Sequence, residues 1–503
     1  MLQQQRYAQE DEENNIEYKK ELLLDGKDHR YWGYVSQMNG RLVQGKELTG
    51  HEEAIYYIGL NDNGTVAGIT NDIMITSDKW LNEICNDCNA KIINKKIKYF
   101  IEGKVCEYTI KRVFEAKIKD TKIGFLGDSG VGKTTIISVL FYGDLDDGDG
   151  NAKYELFKHA HEMKTGITSS ITQAILGIKN NKIINMESGI GWDKIANTSD
   201  KIIKMIDLPG DSKFEKTTLF GILAHQPDIM AFIFSIDKGI SKKMKQYLQI
   251  CKELNKKIIF IINKNDIYCD INKNKIIDFH NEISKLGESI PVFKVNTIKH
   301  EGLTPLINYL QNIEEKKPIV KKKNDLEESE FIINEVFRIP HIGTVVYGIV
   351  NSGTITTKNK MWMGPINDIY EEIKIISIHN EYRPCEQIEN GFTASLLLDI
   401  PGKELEKQIS KNNLLVNENL IEKFKNAFCI AVPKKLFDIV NISSNIKLFM
   451  SNIYESIKIN EKIENDEECI LKVSFVREGF YYLIKPQKIV IKRDEDLFIA
   501  IVK

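Results

Sequence analysis

Three short segments of this chain carry residue types that together handle a phosphorylated nucleoside. The first is Gly127-Asp128-Ser129-Gly130-Val131-Gly132-Lys133-Thr134, which fits GxxxxGK[ST]. Its glycines let main-chain N–H groups converge on phosphate oxygens at a helix start, where peptide dipoles favour an anion. Lys133 is spaced to reach the β- and γ-phosphates and Thr134 to bring a hydroxyl to Mg²⁺, while Thr135 joins the nucleotide-binding set. The second segment is Asp207-Leu208-Pro209-Gly210. Its carboxylate is expected to hold Mg²⁺ through water, and the Gly210 N–H to meet the γ-phosphate. The third is Asn263-Lys264-Asn265-Asp266, an NKxD. Asp266 is placed to accept from the N1–H and exocyclic amine of guanine. Adenine lacks that donor pair and would leave the carboxylate unpaired, a mismatch able to discriminate by about 10⁴–10⁵. Between the first two segments, Thr168 is expected to close on Mg²⁺ and the γ-phosphate when GTP is bound and to release after hydrolysis, with Thr165 as the alternative.

Each segment needs a strand to present it. Apolar runs at Lys122–Leu126, Lys204–Ile206, Ile229–Ile236 and Ile258–Ile262 end at or just before the motifs or alternate with helical stretches such as Lys242–Leu254. Continuous apolar strands alternating with helices predict a parallel sheet covered on both faces, an α/β P-loop GTP-binding domain over 116–316. Before it, 1–115 reads as a small α+β segment with a strand at Ala54–Leu60, a turn at Asn61–Gly64 and a helix over Asp78–Lys91; its first fifteen or so residues are expected to be frayed. After it, 317–329 is a charged linker. Glycine-punctuated β runs at Phe331–Phe337, Gly343–Asn351, Glu372–Ile378 and Thr393–Leu398, and a further set from Ala427, predict two β-barrel domains over 330–412 and 413–503.

At about 150 residues per domain, 503 residues predict three to four domains. The net charge of −2 excludes a protein that holds nucleic acid by bulk charge, and no DNA partner is expected. The apolar stretches are strand-length, and the polar, acidic start reads as neither a signal nor a transit peptide. Cys85 and Cys88 form a lone CxxC, read as two half-buried thiols in a helix. The chain is expected to be cytoplasmic, without a membrane partner, and monomeric. Its wealth of Ile, Asn and Lys is that of an AT-rich genome, such as that of a large DNA virus, whose product would work in the host cytoplasm.

The wider sequence resembles the elongation-factor-like GTPases, and within them the GTP-binding protein 1/2 family. Thr165-Gly166-Ile167-Thr168 resembles the R-G-I-T switch loop of elongation factor Tu. Leu145–Gly150, Leu156–Glu162 and Thr168-Ser169-Ser170 resemble the stretch L-D-N-G-x-G, L-F-R-H-x-H-E, T-S-S. Lys216–Gly221 is similar to K-T-T-V-F-G, and Pro340–Gly348 to G-x-G-T-V-V-x-G of the second domain. The likeness runs from about residue 50 to 400. It implies a GTP switch acting around translation, with tRNA and the ribosome as partners. It also puts the guanine loop at Val295-Asn296-Thr297, where the family has a serine, so Asn296 and Thr297 join the binding set. Asp211 stands where translational GTPases carry the histidine that orients the attacking water. The catalytic set is therefore Lys133, Thr168 and Asp211, and the metal set Thr134, Thr168 and Asp207. A GTP hydrolase with a slow intrinsic rate is the first reading, and a non-hydrolysing, GTP-dependent module on the translation machinery the second. The loop GDSGVGKT has a Rab-like look, but two C-terminal β domains and the absence of a lipidation box count against a membrane-signalling GTPase.

Overall fold

The computed structural model describes residues 7–11, 14–113, 120–148, 150–157, 160–185, 191–264, 273–287, 289–313, 328–339, 342–358, 360–366, 369–411, 413–421, 424–442, 445–464, 468–477, 482–483 and 487–503. The chain divides into two units: Met1–Ala116 with Arg383–Cys385, and the remainder.

The first unit contains β1 (Ile16–Lys19), α1 (His29–Thr49), β2 (Glu53–Ile58), α2 (Asn71–Asp87), β3 (Ala90–Phe100) and β4 (Gly103–Arg112), its sheet ordered β1-β2-β4-β3. Asp28 and Thr70 cap the two helices by accepting from the N–H groups of Tyr31 and Ile73. Tyr31, Met38, Leu42, Leu81 and Ile84 of the helices bury against Tyr56, Ile58 and Tyr108 of the sheet. Cys85 and Cys88 are wholly buried rather than half-buried, and burial pushes both thiols up to about 12, so neither is a reactive thiolate. Residues 7–11, expected to fray, are tied down. The N–H of Tyr7 donates to the Gly64 carbonyl at 3.0 Å, that of Glu10 to the Asp62 carbonyl at 2.8 Å, and the Glu10 carboxylate pairs with Arg41 at 2.7 Å. Composition concealed this because the anchor, a buried arginine, lies thirty-one residues away.

The second unit begins with β5 (Asp120–Leu126), α3 (Lys133–Tyr142), α4 (Ala160–Thr165), β6 (Thr172–Lys179), β7 (Lys182–Ile184), α5 (Trp192–Thr198), β8 (Lys201–Asp207), α6 (Glu215–Leu223), β9 (Ile229–Ser235), α7 (Lys242–Glu253), β10 (Lys257–Asn263), α8 (Lys273–Leu286), β11 (Val292–Lys294) and α9 (Leu303–Gln311). The sheet runs β11-β10-β9-β5-β8-β6-β7. Its first five strands are parallel, while β6 and β7 are antiparallel additions at one edge, so the sheet is mixed. Asn180 and Asn181, both at positive φ, make the turn between these two, as asparagine tolerates the left-handed backbone that a tight hairpin needs. Every residue of β5 and β9 is buried, as two covered faces require.

Two closed six-stranded barrels follow. In the first, Met361–Ile366, Leu414–Val416, Glu330–Ile339, Gly343–Ser352, Thr393–Asp399 and Ile369–Asn380 pair in turn, and the last closes on the first. Its strand Leu414–Val416 lies past the boundary expected at 412. In the second, Ala427–Val432, Cys469–Phe475, Ile453–Glu464, Asn445–Met450, Lys488–Arg493 and Asp496–Val502 form the ring. Most of the stretch expected as linker, 317–329, lies outside the described residues. No helix among the described residues is long and apolar enough to cross a membrane.

Candidate functional site

The site lies at the carboxyl ends of β5, β8 and β10, where an open parallel sheet offers a crevice. Between β5 and α3 the loop needs backbone that few side chains tolerate. Gly132 sits at φ +94°, and a Cβ there would run into the side-chain amide of Asn263. A Cβ on Gly210 would run into the Gly127 carbonyl and the Lys133 amine, so the DxxG glycine packs directly against the first loop. Together these segments rim a cavity of about 420 Å³.

Lys133 is buried at its floor, its Nζ donating to the carbonyls of Gly127 at 2.8 Å and Asp128 at 3.1 Å. Burial lowers its pKa, against the pull of Asp207 and Asp128. Beside it three oxygens converge. Thr134 Oγ1 donates to Asp207 Oδ2 at 2.6 Å and lies 2.9 Å from Thr168 Oγ1, which stands 3.4 Å from the same carboxylate oxygen. Asp207 is pushed up to about 6 by burial, with Lys133 and the two hydroxyls pulling the other way. Its Oδ1 is buried and has no hydrogen-bond partner. A carboxylate and two hydroxyls are the hard oxygen donors that suit Mg²⁺, and the unpartnered Oδ1 is an acceptor left for such a group. Thr165, the alternative to Thr168, is exposed, and its hydroxyl accepts from the Ile167 N–H outside this cluster.

The third segment is seen in part. Asn263, at the end of β10, donates through Nδ2 to the Val131 carbonyl at 3.0 Å and so ties the strand to the first loop. Lys264, at φ +59°, lines the cavity with Nζ 3.6 Å from Asp237. Asn265 and Asp266 lie outside the described residues. Asn296 is buried, its Oδ1 accepting from the N–H groups of Ile298 and Lys299, which shapes the loop that brings Thr297 to the cavity wall. Of the remaining loop residues, Ser129, Gly130 and Thr135 line the cavity and Asp128 is anchored by the Ser241 hydroxyl at 2.9 Å. Asp211 accepts from the Lys213 N–H at 2.9 Å and so opens the turn Ser212–Phe214.

Some residues that brace the elements around the site were not legible in the sequence. Glu162 binds Ser169 and Ser170, next to Thr168. Glu215, at the start of α6 and just past Asp207–Gly210, pairs with Lys243 of α7 and, at 2.5 Å, with Lys492 of the second barrel. Lys204, three residues before Asp207, is buried against the first barrel, near Glu381 at 2.6 Å and Thr393 at 3.1 Å. Only the family-like H-E and T-S-S stretches hinted at the first of these.

Residues 119–316 match the family model of the elongation factor Tu GTP-binding domain. Over 94% of its length the chain is 26% identical to GTP-binding protein 2 of Mus musculus, covering 84% of that protein. It is 28% identical to GTP-binding protein 1 of Xenopus laevis over 75% of this chain and 62% of that one. Among solved structures, the bacterial selenocysteine-specific elongation factor EF-Sec superposes with a TM-score of 0.58 at 17% identity, over 76% of this chain and 58% of that chain. The GTP-bound GTPase-like domain of Ski7 from S. cerevisiae gives 0.57 at 16% identity, over 77% and 97%.

Proposed function

We propose that this chain, a relative of GTP-binding proteins 1 and 2 built on an elongation-factor-Tu-type GTP-binding domain with two β-barrels, is a slow GTP hydrolase whose nucleotide state controls an encounter with tRNA and the ribosome. The observation that carries this reading is the convergence of Thr134, Thr168 and Asp207 beside Lys133. It joins the phosphate loop, the switch loop and the DxxG strand at one point, where the presence or absence of a γ-phosphate would be felt by all three. Thr134, Thr168 and Asp207 would hold Mg²⁺, which when bound supplies neutralisation of phosphate charge. Lys133 binds the β- and γ-oxygens, the loop N–H groups from Gly127 to Thr135 cradle the phosphates, and Gly210 brings its N–H to the γ-position. On this reading the protein works in the cytoplasm, as a monomer, without a membrane or DNA partner.

Guanine selection is assigned to Asp266, with Asn263, Lys264, Asn296 and Thr297 building the wall around the base. Asp266→Asn should exchange guanine for xanthine preference, because an amide donates as well as accepts where a carboxylate only accepts. Competition between GTP and XTP for a labelled nucleotide reads this directly, and an unchanged preference for GTP would remove Asp266 from the role.

Hydrolysis is expected to be slow. No arginine lies between Arg112 and Arg338, so the domain has no arginine of its own to neutralise γ-phosphate charge, a contribution of about 10³–10⁵ where it exists. Asp211 offers a carboxylate, already engaged with the Lys213 N–H, where an imidazole would orient water. Single-turnover hydrolysis by wild type should be barely measurable alone and rise with ribosomes, and Asp211→His should be faster still with ribosomes. A wild type already fast alone, or a histidine variant no faster, contradicts this. A wild type that hydrolyses with neither, yet stays on ribosomes with GTP, favours the non-hydrolysing module.

A further inference from the structure

The carboxylate of Glu162, in α4, is fully buried, and one of its oxygens gathers four donors. Oε1 accepts from the N–H and hydroxyl of Ser169 at 2.7 and 2.8 Å, and from the N–H and hydroxyl of Ser170 at 3.0 and 3.1 Å. The Glu162 carbonyl accepts from the Gly166 N–H at 2.8 Å, so the segment 162–170 is folded back on itself at two levels. Burial would raise this acid, but the Ser169 and Ser170 donors bring it down to about 2, and it stays an anion at any working pH. The residue immediately before the clamped pair is Thr168, whose hydroxyl stands at 2.9 Å from Thr134 and 3.4 Å from Asp207.

We propose that Glu162 is a positioning residue that favours GTP over GDP at this site, by clamping Ser169 and Ser170 so that Thr168 is delivered to the γ-phosphate side of the cavity. This rests on the GTP-switch reading above. A loop ordered by its own carboxylate meets the nucleotide with its conformational entropy already spent, so contact with a γ-phosphate keeps more of its worth. Nucleotide contacts made by Lys133 and the loop from Gly127 do not pass through this clamp. GDP has no γ-phosphate for Thr168 to meet and should sense the clamp far less.

The test compares dissociation of fluorescent GDP and of a fluorescent non-hydrolysable GTP analogue from the full-length protein. In Glu162→Gln the clamp loses its charge, and hydrogen bonds to a charged acceptor are about twice as strong as neutral ones. The analogue should leave about tenfold faster or more, and GDP within about twofold of wild type. A milder variant, Ser169→Ala with Ser170→Ala, removes two of the four donors and should shift the same ratio in the same direction. It decides the matter by the same criterion if Glu162→Gln does not fold. An equal rise for both nucleotides would make Glu162 a general support of the fold, and no change in either would give it no role; both overturn the proposal. A folded wild type that binds neither nucleotide overturns the GTP reading itself. A wild type that binds both, with variants that keep its GTP-to-GDP ratio, overturns only the role of Glu162.

Discussion

Lys133→Met should lose GTP affinity by about a hundredfold or more while the protein keeps its fold. The side chain is buried in the first loop, and its amine is held there by two carbonyls, of Gly127 and Asp128. That placement serves an anion in the cavity better than it serves the fold, since burial already works against the charge. Methionine fills the same space without the desolvated ammonium. The cost to stability is two carbonyls without a donor, of order 1 kcal/mol each. The loss to binding is the whole of a charge-assisted contact with phosphate. Titration with labelled GTP, alongside a thermal melt, separates the two effects. An unchanged dissociation constant would mean that the loop does not hold phosphate.

The largest loss of stability should follow Lys204→Met. Lys204 reaches from β8 to Asp120 at 3.1 Å, Glu381 at 2.6 Å, the Thr393 hydroxyl at 3.1 Å and the Tyr347 hydroxyl, with both acidic partners almost fully buried. Burial disfavours its charge, yet Asp120 and Glu381 hold its pKa well above the ordinary value. Removing it strands two carboxylates in a buried interface between the GTP-binding domain and the first barrel. Breaking such a buried pair costs about 3–5 kcal/mol. Denaturant midpoints should therefore fall sharply for Lys204→Met, and recover in part when Asp120→Asn and Glu381→Gln are added. A single variant as stable as wild type would mean that water reaches the cluster.

The contrast between these two lysines shows what the sequence could reveal. Lys133 was legible because its partners are within six residues and its motif has a fixed spacing after a strand. The strands that carry Thr134, Asp207 and Asn263 were legible for a related reason, since a buried parallel strand is a continuous apolar run. Lys204 opens one of those runs, where a lysine carries no signal of its own. Its partners at 120, 347, 381 and 393 come together only through the packing of a barrel on a sheet, with Asp120 and Thr393 273 residues apart. Glu162 lay inside a resemblance that gave it no task, because the donors it gathers are partly main chain, which sequence does not display. The hairpin β6–β7 is not legible from apolar runs alone, because its strands meet through an Asn-Asn turn that carries no apolar period. The barrels were read from glycine spacing, yet the strand Leu414–Val416 is too short, at three residues, to stand out as the closing member of the first.

The central claim is that the cavity between the first loop, Asp207–Gly210 and the β10 end takes a guanine nucleotide. Equilibrium displacement of labelled GTP from the full-length protein by unlabelled GTP, GDP and ATP addresses it most directly. GTP and GDP should displace the label, while ATP should fail at about a thousandfold excess, because on the proposed assignment an adenine would leave the Asp266 carboxylate unpaired. Displacement by ATP at the same concentration as GTP would contradict the account, and so would a folded protein that never takes up the label.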